Sequence, residues 1–472
     1  MHHPSIIFRT AAIGIIVGAL LFNWWSFYNL SWWWVLLIIT AIIFMSLKLA
    51  PRQLFILGLL AATILWWRAL YLPIAPPADI FVGPREFTAE IIAAPRAGDK
   101  IIRYVVSSPG FSVGKIQLTT KPFPEFYFGQ EIKVRCKNVT EITADYYRLK
   151  NIYRECAFPD LSFLSDGKWS LKRTLLQARD LAGVTIKSNL AEPYASLLTG
   201  MLWGDDAGLP KDLLQSFRTT GTSHILAVSG FNVMVLSQIL FYLFLGIGLW
   251  RRQASIVVIS LIALFVVFTG AEPAVLRAGI MASLIQFGHL VGRKSEPWNI
   301  LLGAAATMLL FDPRLILDLG FELSFAAMIG LTVLAPKLEN IFKKLPDLIN
   351  LKEIFLQTIS ATLVTLPIIL LRLDQVSLVS VVVNLLVGPV VATVFILGLI
   401  TTVVATWPLL GAMAIWLSTF ALAYIVFIVE WFGQLPNAQV GGSIWVWLVV
   451  IIIYIIGGKW ILSKSRASSA DK

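Results

Sequence analysis

The stretch GTSHILAVSGFNVMVL, Gly221–Leu236, puts His224, Ser229, Gly230 and Asn232 at the head of a long apolar run, with Gln238 just beyond it. A Ser and a His within reach of one another suit nucleophilic hydrolysis, in which the ring takes the hydroxyl proton. The same groups suit a wetted wall, because a polar group left unpaired in hydrocarbon costs on the order of several kcal/mol. Spacing disfavours hydrolysis. Ser229 falls about half a turn off the face of His224, and the other candidate base, His289, belongs to the far end of its own apolar run. On a helical wheel His224, Asn232 and Gln238 share a sector of about 120°, so one side of a helix is polar and the remainder greasy. Ser229-Gly230 removes bulk there and permits a bend or a close approach.

Three further apolar runs carry polar groups. EPAVLRAGIM holds Glu272 and Arg277, LILDLGFELSFAAMIGL holds Asp318, Glu322 and Ser324, and VVVNLLVGPVVATV holds Asn384 ahead of the helix-breaking Gly388-Pro389. Ionisable groups inside a membrane face a bundle interior or a water-filled path, and they pair with one another. Arg277 with Glu322 is the candidate pair. Whether that pair lines a path or staples two helices stays open at this level.

These residues need elements to hold them. The chain has 472 residues, 57% hydrophobic and 14% charged, with mean hydropathy +0.79. That composition is a polytopic α-helical membrane protein. Apolar runs at 6–28, 31–47, 54–72, 224–249, 254–270, 273–291, 298–311, 317–336, 353–371, 376–406, 409–432 and 443–462 predict about twelve spans. The first is read as a retained helix and not a signal peptide, since no small-x-small cleavage site follows it. With the N-terminus cytoplasmic, the inner loops collect Arg9, Lys48, Arg52, Arg251, Arg252, Arg293, Lys294, Lys337, Lys343, Lys344, Lys352, Lys459, Lys464 and Arg466. The outer connections, such as GAEPA, DPRLILD and LRLDQ, are short and poor in basic residues. Much of the net charge of +11 is therefore topology.

Between the third and fourth runs lies a long polar insert, placed outside the cytoplasm by this orientation. EFTAEIIAA, KIIRYVVSS, GKIQLTT, QEIKVRCKNVT and NIYRECAF alternate with period two, separated by turn-forming SPG, AGD and PFPEFYFG. Five or so short strands in so short a segment predict a small closed β-barrel, OB-like in form. Both cysteines, Cys136 and Cys156, fall on these strands. In an oxidising compartment they form a disulfide; two buried free thiols are the alternative. Lys133, Arg135 and Lys137 alternate on one strand face near Phe126, Tyr127 and Phe128, a candidate DNA-binding patch or an ordinary solvated face. KWSLKRTLLQARDLAGVTIKSNL then changes period. Trp169, Leu171, Leu175, Leu176, Ala178 and Leu181 lean to one side, as in an amphipathic helix resting on the membrane or the barrel.

TGTSHILAVSGFNV resembles the signature of the ComEC family of competence proteins, usually close to G-x-x-H-L-L-A-x-S-G-L-H. LRAGIM, DLGFELSFAAMIGL and LVTLPIILLRLDQVSLVSVVVNLLVGPVV resemble that family's later motifs in the same order. The likeness covers roughly residues 30 to 430. It implies a channel of the bacterial inner membrane that admits single-stranded DNA during natural transformation. His224, Ser229 and Gly230 match the first motif, Arg277 the second, Ser324 the third, and Asn384 with Pro389 the fourth. Asn232 stands where the family often has His, and Glu322 where Gln is usual. Larger members carry a metallo-β-lactamase-like domain, for which the chain leaves no room after GGKWILSKSRASSADK. Four His cannot build its metal cluster, and no Walker A loop is present, so no cofactor, metal or catalytic residue is expected. The implied partners are single-stranded DNA and membrane lipids, with a separate nuclease, a DNA receptor and a cytoplasmic helicase as candidates.

The expected organisation is N-terminal transmembrane helices over 1–75, the OB-like domain over 80–165, an amphipathic helix and connector over 166–220, the competence-type channel over 221–462, and a cytoplasmic tail over 463–472. Two rival readings are a transporter or scaffold for another envelope solute, and an intramembrane serine hydrolase using Ser229.

Overall fold

The computed structural model describes residues 12–16, 85–97, 101–108, 115–142, 147, 150–226, 228–292, 296–342 and 351–441. The expected spans at 31–47, 54–72 and 443–462, most of 6–28, and the tail 463–472 lie outside the described residues. The chain divides into two compact units. One comprises the chain to Ala182 together with Val233–Asp318; the other comprises Gly183–Asn232 together with the chain from Leu319 on.

The first unit opens with a sheet. Its strands are β1 (Arg85–Ile91), β2 (Arg96–Ala97), β3 (Ile102–Ser107), β4 (Lys115–Thr120), β5 (Glu131–Cys136), β6 (Val139–Glu141), β7 (Ile152–Ala157) and β8 (Asp160–Ser165). The order is β6-β7-β4-β3-β1-β5-β8, with β2 against β3. All pairs are antiparallel except β4 with β7. Period-two alternation sends Ile132, Val134 and Cys136 of β5 inward beside Ile91, Tyr104, Val106 and Leu118, and turns Lys133 and Arg135 outward. The sheet must roll up. Flat, β5 and β7 would lie four strand spacings apart, about 19 Å, yet Cys136 and Cys156 are disulfide-bonded with Cα atoms 6.1 Å apart. Only Lys137 and Asn138 separate β5, which pairs with β1, from β6, which pairs with β7. The last strand, DLSFLS, has no clean alternation because it is an edge strand: it pairs with β5, packs Leu161 on the core and leaves Phe163 and Leu164 exposed.

Helix α1 (Leu171–Asn189) follows. It buries Leu176 and Ile186 and exposes Leu171, Leu181 and Val184, so the apolar side expected from sequence is split between core and surface. Two shorter helices, α2 (Tyr194–Trp203) and α3 (Lys211–Thr219), lead to the membrane region. There α4 (Gly230–Gly246) and α7 (Pro297–Phe311) are apolar but short. Six helices are long and apolar enough to cross a membrane: α5 (Arg251–Phe268), α6 (Pro273–Val291), α8 (Leu319–Ile341), α9 (Leu351–Leu373), α10 (Ser380–Val404) and α11 (Pro408–Gly433). Of the twelve expected spans, four lie wholly or mostly outside the described residues; among the described residues six helices are candidate spans, and two shorter apolar helices stand where 224–249 and 298–311 are expected. A rolled sheet domain, with β6 and β8 at the ends of its hydrogen-bonded path, stands where the small barrel is expected.

Helices pack through small and polar groups, since lipid-facing and core residues are equally apolar. In the first unit, Gln286 of α6 donates to Ser237 of α4 (3.1 Å) and accepts from Ser255 of α5 (3.4 Å). In the second, α8 packs on α9, α9 on α10 and α10 on α11, with the Thr401 and Ser418 hydroxyls 2.9 Å apart. There α2 lies against α10 and α3 against α11. Two short strands, β9 (Gln375–Ser377) and β10 (Gln439–Gly441), pair antiparallel at the ends of α9 and α11.

Candidate functional site

The His224 stretch is not the start of a membrane helix. After α3 the chain makes a 3-10 turn, Ser223–Ile225, and α4 begins only at Gly230. His224 therefore lies on a 3-10 turn, and the shared helical sector of His224, Asn232 and Gln238 is corrected: α4 begins only at Gly230, so His224 is not on that helix. Backbone freed in this way needs other partners. Gly221 donates to the Arg218 carbonyl and Thr222 to that of Phe217, while the Thr220 and Thr222 hydroxyls sit 2.7 Å apart.

Ser229 occupies the N-cap of α4. Its hydroxyl oxygen accepts from the Asn232 backbone N–H at 3.2 Å. Asn232 is 1% exposed, and its side-chain amide donates to the Met201 carbonyl of α2 at 3.2 Å. Expected as a wall residue, Asn232 instead fastens the turn to α2, because α2 covers that face of the first turn of α4. Two glycines allow the tight fit. A Cβ on Gly200 would come 2.9 Å from the Leu226 carbonyl oxygen, and one on Gly221, whose φ is +70°, would come 2.9 Å from Cβ of Ser380. The first motif is thereby pressed against α2 and the head of α10. His224 and Gly230 remain exposed and Ser229 half-buried.

The other polar residues form separate pairs. Arg277 is buried, and its Nη1 lies 3.9 Å from Oδ1 of Asp318; its Nε and Nη1 have no hydrogen-bond partner. Glu322 bonds Arg372 at the end of α9, at 2.6 and 3.3 Å. The candidate Arg277–Glu322 pair is therefore corrected. Asp318, just ahead of α8, takes Arg277, and Glu322, one turn into the helix, takes Arg372. Ser324 and Asn384 are half-buried, and Gln238 and Pro389 are exposed. Sequence reading missed the parts played by Asp318 and Arg372, although Asp318 stands in LILDLGFELSFAAMIGL and Arg372 in the outer connection LRLDQ.

The β-domain patch divides in the same way. Lys133 and Arg135 lie on the outer face of β5 and Lys137 is exposed just after it, but Glu86 of β1 forms ion pairs with both Lys133 and Arg135. Hydrogen bonds from Lys133 and then Arg135 hold the Glu86 carboxyl below its ordinary value. Phe126 is corrected from surface to core: it is 5% exposed, its ring is edge-on to Tyr104, and its N–H donates to the Tyr104 hydroxyl at 3.1 Å. Burial in turn pushes the Tyr104 hydroxyl up from its ordinary value. Tyr127 is exposed, while Phe128 is half-buried with the Lys172 ammonium 4.6 Å from its ring centroid. The three aromatics thus form no single platform.

Comparison with known proteins agrees with the order of these motifs. The family described as "Competence protein" matches residues 201–466, which include His224, Arg277, Ser324 and Asn384 and exclude the β domain. ComE operon protein 3 of Bacillus subtilis (strain 168) is 30% identical over 207 residues, covering 44% of this chain and 26% of that protein. The uncharacterized protein YcaI of Escherichia coli (strain K12) is 25% identical over 332 residues, 60% of this chain and 42% of that protein. The chain thus spans less than half the length of these curated relatives. No solved structure matches it. With a family match over more than half its length and the motif residues inside that match, the chain belongs to the competence protein family.

Proposed function

We propose that this protein takes part in DNA uptake, admitting one strand of DNA across the cytoplasmic membrane during natural transformation. The observation that carries the reading is the break in α-helix between α3 and α4, with a 3-10 turn at Ser223–Ile225, inside the competence match and ahead of the apolar helix α4. Irregular backbone at membrane depth is tolerated only where protein buries it or where it borders water, and His224 and Gly230 are the exposed members of this stretch. Arg277 adds a second sign of a wet interior. A buried guanidinium with two orphan nitrogens is costly unless water or an anion reaches it.

In this reading Ser229 and Asn232 have positioning roles and His224, Gly230, Ser324, Asn384 and Pro389 serve passage in the second unit; in the first, Asp318 positions Arg277, and Gln238 serves passage with it. The pairing of Glu322 with Arg372 keeps its negative charge from opposing a polyanion. Both termini are cytoplasmic and the β domain extracytoplasmic. That orientation draws support from contacts in the first unit: Arg314 of the loop after α7 bonds Asn151 of the β domain at 2.7 Å, and Arg179 of α1 comes up against Gly270. Both loops are outer connections by the charge rule. The β domain is OB-like in strand order, with the β5–β6 run pairing on one side to β1 and on the other to β7, and with β4 parallel to β7. Tyr127 and Lys137 are its exposed candidates for DNA contact.

The test is transformation of a deletion strain that expresses either His224→Ala or Arg277→Ala, separating DNA that reaches the cytosol from DNA held outside. Both variants are expected to insert at wild-type levels and to pass no DNA. Normal passage in both would reduce the polar groups to packing and sink the proposal.

A further inference from the structure

Helix α8 is not α-helical throughout. Between Leu319–Ile329 and Ala335–Ile341 it widens into a π-helical turn, Gly330–Leu334, in which the Ala335 N–H donates to the Gly330 carbonyl five residues back. Pro336 supplies a local cause. In an α-helix it would offer no N–H to the Thr332 carbonyl, and its ring would crowd that oxygen. The widened turn packs directly on α9. A Cβ on Gly330 would overlap the Ser360 carbonyl oxygen and come 3.2 Å from Cα of Ala361, so the two backbones meet with no side chain between them. At the same contact the Ser360 hydroxyl is fully buried and has no hydrogen-bond partner. Nearer the start of α8, Glu322 bonds Arg372 of α9.

A π turn holds one residue more than an α turn, and single π turns inside α-helices recur at functional sites. Relaxing this one to α would rotate the segment ahead of it by about 100°, one residue's share of a helical turn. Each form carries its own cost. The α form sets the Pro336 ring against a carbonyl, and the observed form leaves the Ser360 hydroxyl unsatisfied. Opposed costs at one point bring two settings of the same helix close in free energy. We propose that Gly330–Leu334 is a hinge about which Leu319–Ile329 rotates between the π form and an α form. Gly330 against Ser360 is the pivot, and the Glu322–Arg372 pair latches the π form. Rotation carries Glu322 off Arg372 and re-aims Ser324, the residue of the third competence motif. The hinge thereby gates passage of the strand, a role that rests on the DNA-uptake reading.

The full chain in lipid nanodiscs is spin-labelled through Ile329→Cys with Phe420→Cys, or through Lys337→Cys with Met413→Cys, and distances are read by double electron–electron resonance. Ile329 precedes the π turn and Lys337 follows it, while Phe420 and Met413 are exposed on α11. Cys136 and Cys156 are bonded to each other and take no label. The otherwise unaltered chain is expected to give two distances for the first pair and one for the second. Pro336→Ala lifts the cost of the α form and should raise the rotated population several-fold. Deleting Thr332 together with Pro336→Ala removes the extra residue and leaves both flanks in their observed register. That variant is expected to keep the second distance, to show one distance for the first pair, to insert normally and to lose DNA uptake. A single distance for the first pair in the unaltered chain overturns the proposal, and so does undiminished uptake by the deletion variant. The distances are measured without DNA, so failure of the uptake reading leaves the rotation standing on them.

Discussion

Ser229 accepts a backbone N–H of its own helix, which makes it a helix cap before it is anything else. Ser229→Asn, which keeps a capping oxygen and removes the hydroxyl, is therefore expected to transform like wild type. Ser229→Val should lower the unfolding free energy by about 1 kcal/mol and reduce uptake. Uptake by the Asn variant separates a cap from a nucleophile. Gly221 and Gly248 both have left-handed φ, +70° and +95°, but a Cβ at Gly221 meets Ser380 while one at Gly248 meets open space. Gly221→Ala is expected to lower the thermal midpoint in detergent clearly more than Gly248→Ala. Equal shifts would mean that backbone strain alone matters and that the contact with α10 contributes nothing. The chemistry at these positions was legible as residue types; the partners were not, because a motif gives no sign of which helix covers it.

Elements convert these local facts into stability. The Cys136–Cys156 bridge closes a separation of 20 residues across the roll of the sheet, worth about 3 kcal/mol by loop-closure entropy. The Cys136→Ser, Cys156→Ser pair should make the segment between β1 and β8 sensitive to trypsin in the full-length protein at protease levels that leave wild type intact. Lys115 acts in the opposite direction. Its ammonium is more easily deprotonated in the folded state than in the unfolded one, so its charge disfavours folding at neutral pH. Its contribution to stability appears as pH rises through the lowered folded value towards the ordinary 10.5 and is absent below that window. Lys115→Met is accordingly expected to raise the thermal midpoint at pH 7 and to flatten the rise in stability with alkaline pH, read by unfolding scans at several pH values. The strand β5 was readable from Ile132, Val134 and Cys136 alternating with charge. The strand β8 was not, since an edge strand has one face on the core and little to bury on the other.

At the scale of the whole molecule, the charge rule and the contacts of the β domain point the same way. Arg314, in a loop that the charge rule assigns to the outside, bonds Asn151 of the β domain, and Arg179 of α1 lies near Gly270 in another such loop. A cysteine at Gln177 of α1 is therefore expected to react with a membrane-impermeant maleimide in intact cells. One at Arg251, at the head of α5, should react only after the membrane is opened. Labelling of both from outside would reverse the orientation and with it the direction of the proposed passage.

The sequence alone determined the membrane class, the β insert, the order of the competence motifs and the positions of most helices, because hydrophobic amount and period act locally. Tertiary structure decided the pairings. Arg277 faces Asp318 and not Glu322, Asn232 seals against α2, Phe126 turns into the core, and Arg314 reaches Asn151. Each outcome depends on which distant segment arrives opposite a given side chain. Period and composition report the face a residue takes on its own element, and they carry no information about what covers that face.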